Sequence, residues 1–104
     1  MKTELKNIIV VKTKTAPTVE IDTEARAAYV RFKRAKIART LRYGPKWPIV
    51  TLDLDARGEL VGVEFVGVRK FNLGYLLRRV PLKAPPAAIH RANYVSAEPH
   101  RIAA

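Results

Sequence analysis

The chain has 104 residues, 48% of them hydrophobic, which is enough for one domain with a modest core. It contains no cysteine, so disulfides, thiolate metal sites and a cysteine nucleophile are excluded. Twenty basic residues against nine acidic ones give a formal net charge of +11, and a charge of this size bears on partners and solubility, not on fold.

Residues 1–16 are predicted to form a basic N-terminal strand or arm, because they carry four lysines and one glutamate. The stretch NIIVVK within them has strong strand propensity and indicates an edge strand, or a strand that pairs with another copy of the chain. The longer apolar region of a secretion signal is missing, and no apolar run approaches the length of a membrane span. We therefore predict a cytoplasmic protein without membrane contact.

Residues 17–83 are predicted to form a single β-rich domain with one helix. In TVEIDTEARAAYVRFK, Val19 and Ile21 alternate with polar residues, and after a short connection Ala28, Val30 and Phe32 do the same. This period of two is typical of half-buried strands. KIARTLRY continues the pattern, and GPKWP, with one glycine and two prolines, predicts a loop.

The clearest hairpin lies in PIVTLDLDARGELVGVEFVGV, where Val50, Leu52 and Leu54 alternate with polar residues before the turn DARG. Gly58 supplies the positive φ that this turn needs to return the chain to the ladder. Strands joined in sequence by short connections favour an antiparallel sheet of five or six strands, arranged as a meander.

A helix from about Leu73 to Val80 is predicted to cover one face of that sheet. In NLGYLLRRVP the apolar residues recur at helical spacing, Asn72 is a suitable N-cap, and Pro81 ends the helix. Residues 84–104 are rich in proline and alanine without sustained periodicity, which predicts an extended or mobile tail. The fold class is therefore α+β.

These patterns resemble a small prokaryotic family, the domain of unknown function 2283, over about residues 18–68. The closing hairpin matches its form Val-x-Leu-Asp-x-x-Gly-x-Leu-Val-Gly-Ile-Glu. The matching residues are Ile21, Asp22, Ala28, Tyr29, Val30 and Phe32, then Ile37, Ala38, Thr40 and Leu41, and then residues 50–65. The resemblance implies a compact, mostly antiparallel β domain and no particular activity. Family members look acidic or near neutral, whereas this chain has Arg26 at the first turn and Arg42 after the third strand.

The sequence offers little for catalysis. His90 and His100 lie ten residues apart in the predicted tail, where no regular element positions them as acid, base or metal ligand. Asp53, Asp55 and Glu59 cluster at a hairpin, and solvated carboxylates are much commoner there than a cation site. No glycine-rich phosphate loop follows a strand. We predict no enzymatic activity, no catalytic or metal site, no cofactor and no small-molecule substrate.

The stretch FKRAKIARTLRYGPKW, residues 32–47, is the best lead to a function, because it holds six basic residues and no acidic one. Lys and Arg neutralise phosphates and aromatic rings stack on bases, so this pattern favours DNA or RNA as partner. The predicted nucleic-acid contacts are Lys33, Arg34, Lys36, Arg39, Arg42 and Lys46, with Tyr43 and Trp47 for stacking. Two alternatives stay open: a charged face that serves solubility or thermostability alone, and a protein-interaction or assembly module, for instance a homodimer formed through an edge strand.

Overall fold

The computed structural model describes residues 9–11, 15–44 and 46–96. The elements, in chain order, are β1 (Ile9–Val10), β2 (Thr18–Asp22), β3 (Ala27–Arg31), β4 (Arg39–Arg42), β5 (Ile49–Leu54), β6 (Leu60–Val66), α1 (Leu73–Arg79), β7 (Leu82–Lys83), α2 (Pro86–His90) and β8 (Asn93–Ser96). The protein is therefore β-rich, with short helices in its C-terminal half, as an α+β fold requires.

Six strands form one mixed sheet in the order β4-β5-β6-β3-β2-β8. Neighbours are antiparallel except for β2 and β8, which run parallel, so the prediction of a wholly antiparallel sheet is wrong at this edge. The expected meander is also wrong at one step, because β3 pairs with β6 and not with β4. The two most apolar strands thereby become neighbours in the centre, while β4, with an arginine at each end, takes an edge where cations remain in water.

One face of this sheet carries the hydrophobic core. Val19, Val30, Val63 and Leu52 lie in one row across four strands, and each is almost fully buried. Helix α1 covers this face, with Leu76 completely buried. Alternation along the strands places apolar side chains under the helix and polar ones on the opposite side.

The local sequence of α1 explains where it begins and ends. The Asn72 side chain accepts a hydrogen bond from the Tyr75 amide at 2.9 Å, which caps the first turn. Arg78 and Arg79 occupy the last turn, where cations favour the negative end of the helix dipole. Aromatic contacts join the helix to the core: the Phe65 and Tyr75 ring centroids are 5.5 Å apart.

The segments on either side of the central strands form further short elements. Strand β1 pairs in parallel with β7 in a separate two-stranded sheet and does not extend the main one. Residues 84–96 form α2 and β8, whereas we expected an extended or mobile tail. The Asn93 amide donates to the Pro17 carbonyl at 2.9 Å, which brings β8 alongside β2. Residues 1–8 and 97–104, including most of the predicted arm and the end of the tail, lie outside the described residues.

Candidate nucleic-acid interface

Strand β4 places two of the predicted cations at the edge of the sheet. Among the described residues it pairs with β5 alone, which leaves its other edge open to solvent there, and Arg39 and Arg42 are both exposed. They project to opposite faces, since Arg39 follows the alternation of Leu41 and Arg42 that of Thr40. The two guanidinium groups therefore lie on either side of one edge and not on a common face.

Lys33 is held by two carboxylates. Its Nζ lies 2.6 Å from Asp55 Oδ2 and 2.7 Å from Glu59 Oε1. Hydrogen bonds to these carboxylates raise the pKa of Lys33 and lower that of Asp55. The pairing joins the connection after β3 to the β5–β6 turn, so the charge of Lys33 is already compensated within the fold.

Tyr29 is buried in a polar network on the face opposite α1. Its hydroxyl donates to Asp53 Oδ2 at 2.8 Å, and the Thr40 hydroxyl donates to Asp53 Oδ1 at 2.7 Å. Burial and the Asp53 carboxylate raise the pKa of Tyr29 well above its usual range. The Arg31 guanidinium lies over the ring, 5.0 Å from its centroid. Tyr29 is thus a structural residue and offers no free ring to a base.

The two aromatic residues predicted to stack differ from each other. Tyr43 is half-buried and packs against the hydrophobic core at the end of β4. Trp47 is 64% exposed. Its indole lies directly against Gly67, where a Cβ would come within 2.6 Å of the ring atom Cε2 and where φ is +97°. A glycine is therefore needed at residue 67 for both space and backbone conformation, and Trp47 rests on a fixed support.

Three loops meet beside Trp47. The pairing of Ile49 with Val66 brings residues 46–48 next to residues 67–70. The amides of Gly67 and Val68 both donate to the Arg26 carbonyl, at 2.8 and 3.0 Å, which joins the turn between β2 and β3 to the same place. We call this part of the molecule the Trp47 end. Its exposed cations are Arg26, Lys46, Arg69 and Lys70, with Arg42 at the adjoining end of β4.

None of these five cations forms an ion pair with another residue in the part of the chain that the structure describes. The predicted contacts did not include Arg26, Arg69 and Lys70, because these residues are distant in sequence from the block at residues 33–47. Gly67 and the Arg69-Lys70 pair that follows it were the signals in the sequence that could have indicated these cations. Conversely, Arg34 and Lys36 are exposed but lie in the connection between β3 and β4, near the opposite end of the sheet.

The other groups that we considered for chemistry have structural surroundings. His90 is exposed at the end of α2, and His100 lies outside the described residues. Across residues 9–11, 15–44 and 46–96, no group of three His, Cys, Asp or Glu side chains is arranged to hold a metal ion. In the same residues no helix has the length and apolar character that a bilayer span requires.

The profile of a family described as "Protein of unknown function (DUF2283)" matches residues 18–69, half of the chain. The chain belongs to this family. The matched segment contains β2 to β6, the polar network around Tyr29 and, at the Trp47 end, two complete loops and residues 67–69 of the third. No curated protein and no solved structure matches this DUF2283 protein.

Proposed function

We propose that this DUF2283 protein is a non-enzymatic binding protein that contacts single-stranded DNA or RNA electrostatically and with little sequence preference. The observation that carries the proposal is the exposed indole of Trp47, supported on Gly67, with exposed cations on the three loops that meet beside it. An aromatic ring stacks on any base, and cations beside it attract the phosphates that flank that base.

The charges near Trp47 support this proposal more than the total charge does. Lys46 precedes the indole in sequence, while Arg69 and Lys70 follow Gly67, on which the ring rests. Arg42 is exposed at the adjoining end of β4, and Arg39 lies roughly 10 Å further along the same strand, at about 3.3 Å per residue, on the other side of its edge. An exposed indole can stack only on a base whose face is accessible, so single-stranded nucleic acid fits this surface better than a duplex, in which the bases already stack on one another.

The single tryptophan of the chain makes the proposal directly testable, since intrinsic fluorescence reports on Trp47 alone. An unlabelled single-stranded oligonucleotide should quench that fluorescence on binding. If about six phosphates are neutralised, the affinity should fall roughly three hundredfold between about 50 and 200 mM salt. Absence of binding at the lower salt concentration would remove the proposal.

Variants separate the stacking contribution from the charge contribution. Trp47→Ala should weaken binding by about five- to a hundredfold, measured with a labelled oligonucleotide, because a base loses its stacking partner. Arg42→Ala, and the double variant Arg39→Ala with Arg42→Ala, should weaken binding and reduce its salt dependence. Arg57→Ala is the matched control: it removes the same charge from the exposed β5–β6 turn, far from Trp47. Equal effects of Arg42→Ala and Arg57→Ala would argue against a defined interface.

Protein interaction through a strand edge is the second candidate. The Ile9 amide donates to the Pro81 carbonyl and the Val11 amide to the Lys83 carbonyl, so the Val10 amide between them points away from β7 and, within the described residues, is available to an added strand. Val10 is also 55% exposed. Val10→Pro removes that outward donor and leaves the bonds to β7 in place. If light scattering finds a dimer that this change dissociates, edge pairing is supported; an unchanged mass counts against it.

A further inference from the structure

A cleft of about 290 Å³ lies on the face opposite α1, at the end of the sheet remote from Trp47. It forms where β3 leaves the sheet beside the start of β2, and Thr18 and Arg31 are direct cross-strand partners there. The described side chains that line it include Arg31, Lys33 and Arg34 and no carboxylate. The volume is at the lower limit of small-ligand pockets.

Stacking on a fixed aromatic ring holds the Arg31 guanidinium in position in this cleft. Its guanidinium lies over the Tyr29 ring, and that ring is fixed by its hydrogen bond to Asp53 and by close contact with Gly62, where a Cβ would meet the ring. Within the described chain no carboxylate pairs with Arg31. Stacking occupies a face of the guanidinium and leaves the N–H groups at its rim free to donate.

The other two cations contribute differently. The charge of Lys33 is compensated by Asp55 and Glu59, so this residue lines the cleft without adding net positive charge. Arg34 is exposed, and among the described residues it has no carboxylate partner. Two guanidinium groups beside a threonine hydroxyl match the oxygens of a phosphate, which accept several charge-assisted hydrogen bonds at once.

We infer that this cleft, the Arg31 cleft, is a binding site for a small phosphate oxyanion, either inorganic phosphate or the phosphate of a monoester. Arg31 and Arg34 are the residues that hold the anion, and the Thr18 hydroxyl donates a hydrogen bond to one of its oxygens. The site is independent of the proposed nucleic-acid interface, because Arg31 is at the far end of β3 from the turn that contains Arg26.

Nuclear magnetic resonance titrations of the whole chain test this inference. Inorganic phosphate and ribose 5-phosphate are added separately at constant ionic strength, with chloride as the reference anion. The side-chain N–H signals of Arg31 and Arg34 and the amide signal of Thr18 should shift and saturate, with a dissociation constant on the order of 1 mM. A clearly tighter ribose 5-phosphate complex identifies a monoester as the ligand, and equal affinities identify phosphate itself.

Arg31→Gln should weaken phosphate binding by about tenfold or more and leave quenching of Trp47 by oligonucleotides unchanged. Arg34→Gln is a second variant, for which weaker phosphate binding is also expected. Arg34 is exposed, so its replacement should not disturb folding. Arg57→Gln is the charge-matched control. The inference is overturned if no saturable shift occurs, or if phosphate affinity survives in both cleft variants. It is also overturned if the cations of the Trp47 end shift as much as Arg31 does.

Discussion

The two faces of the six-stranded sheet are stabilised in different ways. Under α1, aliphatic side chains from four strands pack in a row, and this face depends on the area removed from water. On the opposite face, Tyr29, Thr40 and Asp53 are joined by hydrogen bonds of 2.7–2.8 Å. The helix side therefore supplies most of the stability, while the polar side fixes particular atoms in place.

This difference bears on where binding residues occur. A packed apolar face tolerates exchange among side chains of similar volume, but it presents nothing to a polar partner. The polar face and the loops at its ends hold Arg31 and Trp47 on rigid supports, the Tyr29 ring and Gly67. Both candidate sites in this protein consist of an exposed or half-exposed group resting on a structural residue.

The largest effect is expected on the apolar face. Leu76→Ala should lower the free energy of unfolding by about 2–5 kcal/mol, because Leu76 is completely buried under the sheet and leaves a cavity. Leu77→Ala, the neighbouring change on the same helix, should cost less than about 1 kcal/mol, since Leu77 is 40% exposed. Urea denaturation of both variants measures the difference, and similar losses would mean that α1 does not pack as described.

A smaller effect is expected in the polar network. Tyr29→Phe should lower the free energy of unfolding by about 1–3 kcal/mol, because the buried Asp53 carboxylate loses a hydrogen-bond donor. Tyr43→Phe is the matched control, since the Tyr43 hydroxyl makes no hydrogen bond within the described residues. If the two changes are equally mild in denaturation experiments, the network does not contribute to stability.

The smallest effect concerns Glu64, which lies between Thr51 and Tyr29 on the polar face. Burial, and then repulsion from Asp53, raise the pKa of Glu64 above its ordinary value of 4.5. A raised carboxyl pKa means that ionisation opposes folding. The penalty is absent below the ordinary pKa and is complete above the folded-state pKa.

Glu64→Gln should therefore stabilise the protein at about pH 7.5 and have little effect near pH 4. Thermal unfolding at the two pH values measures the change. Glu24→Gln, at an exposed carboxylate in the turn between β2 and β3, controls for the loss of one negative charge. If Glu64→Gln changes the stability of the protein by the same amount at both pH values, the direction of the Glu64 pKa shift is contradicted.

Much of the fold could be predicted from the sequence where the signals were local. The alternation around Gly58 predicted the β5–β6 hairpin, and the spacing of apolar residues after Asn72 predicted a helix that occurs at Leu73–Arg79. The order of strands was not accessible, because pairing β3 with β6 depends on which strands bury the most apolar surface together. Strand β8 was missed since its four residues show no alternation and its partner β2 is more than 70 residues away.

The candidate interface could be predicted only in part, because contacts between distant parts of the chain leave no local signal in the sequence. A run of cations in sequence identified Arg39, Arg42 and Lys46, and of these Lys46 and Arg42 lie toward the exposed Trp47. Charge counting could not show that Lys33 pairs with Asp55 and Glu59, because those carboxylates approach only once the hairpin has folded. The same folding brings Arg26 and Arg69 next to Trp47 from distant parts of the chain.

The parallel pairing of β8 with β2 has a consequence for how this family segment is handled. Residues 18–69 contain five strands of the sheet but neither α1 nor β8. A fragment cut at those limits would expose Phe65 and its neighbours to solvent and leave β2 as an unprotected border, a combination that promotes aggregation. Expression of this domain therefore calls for the chain through at least residue 96, where β8 ends.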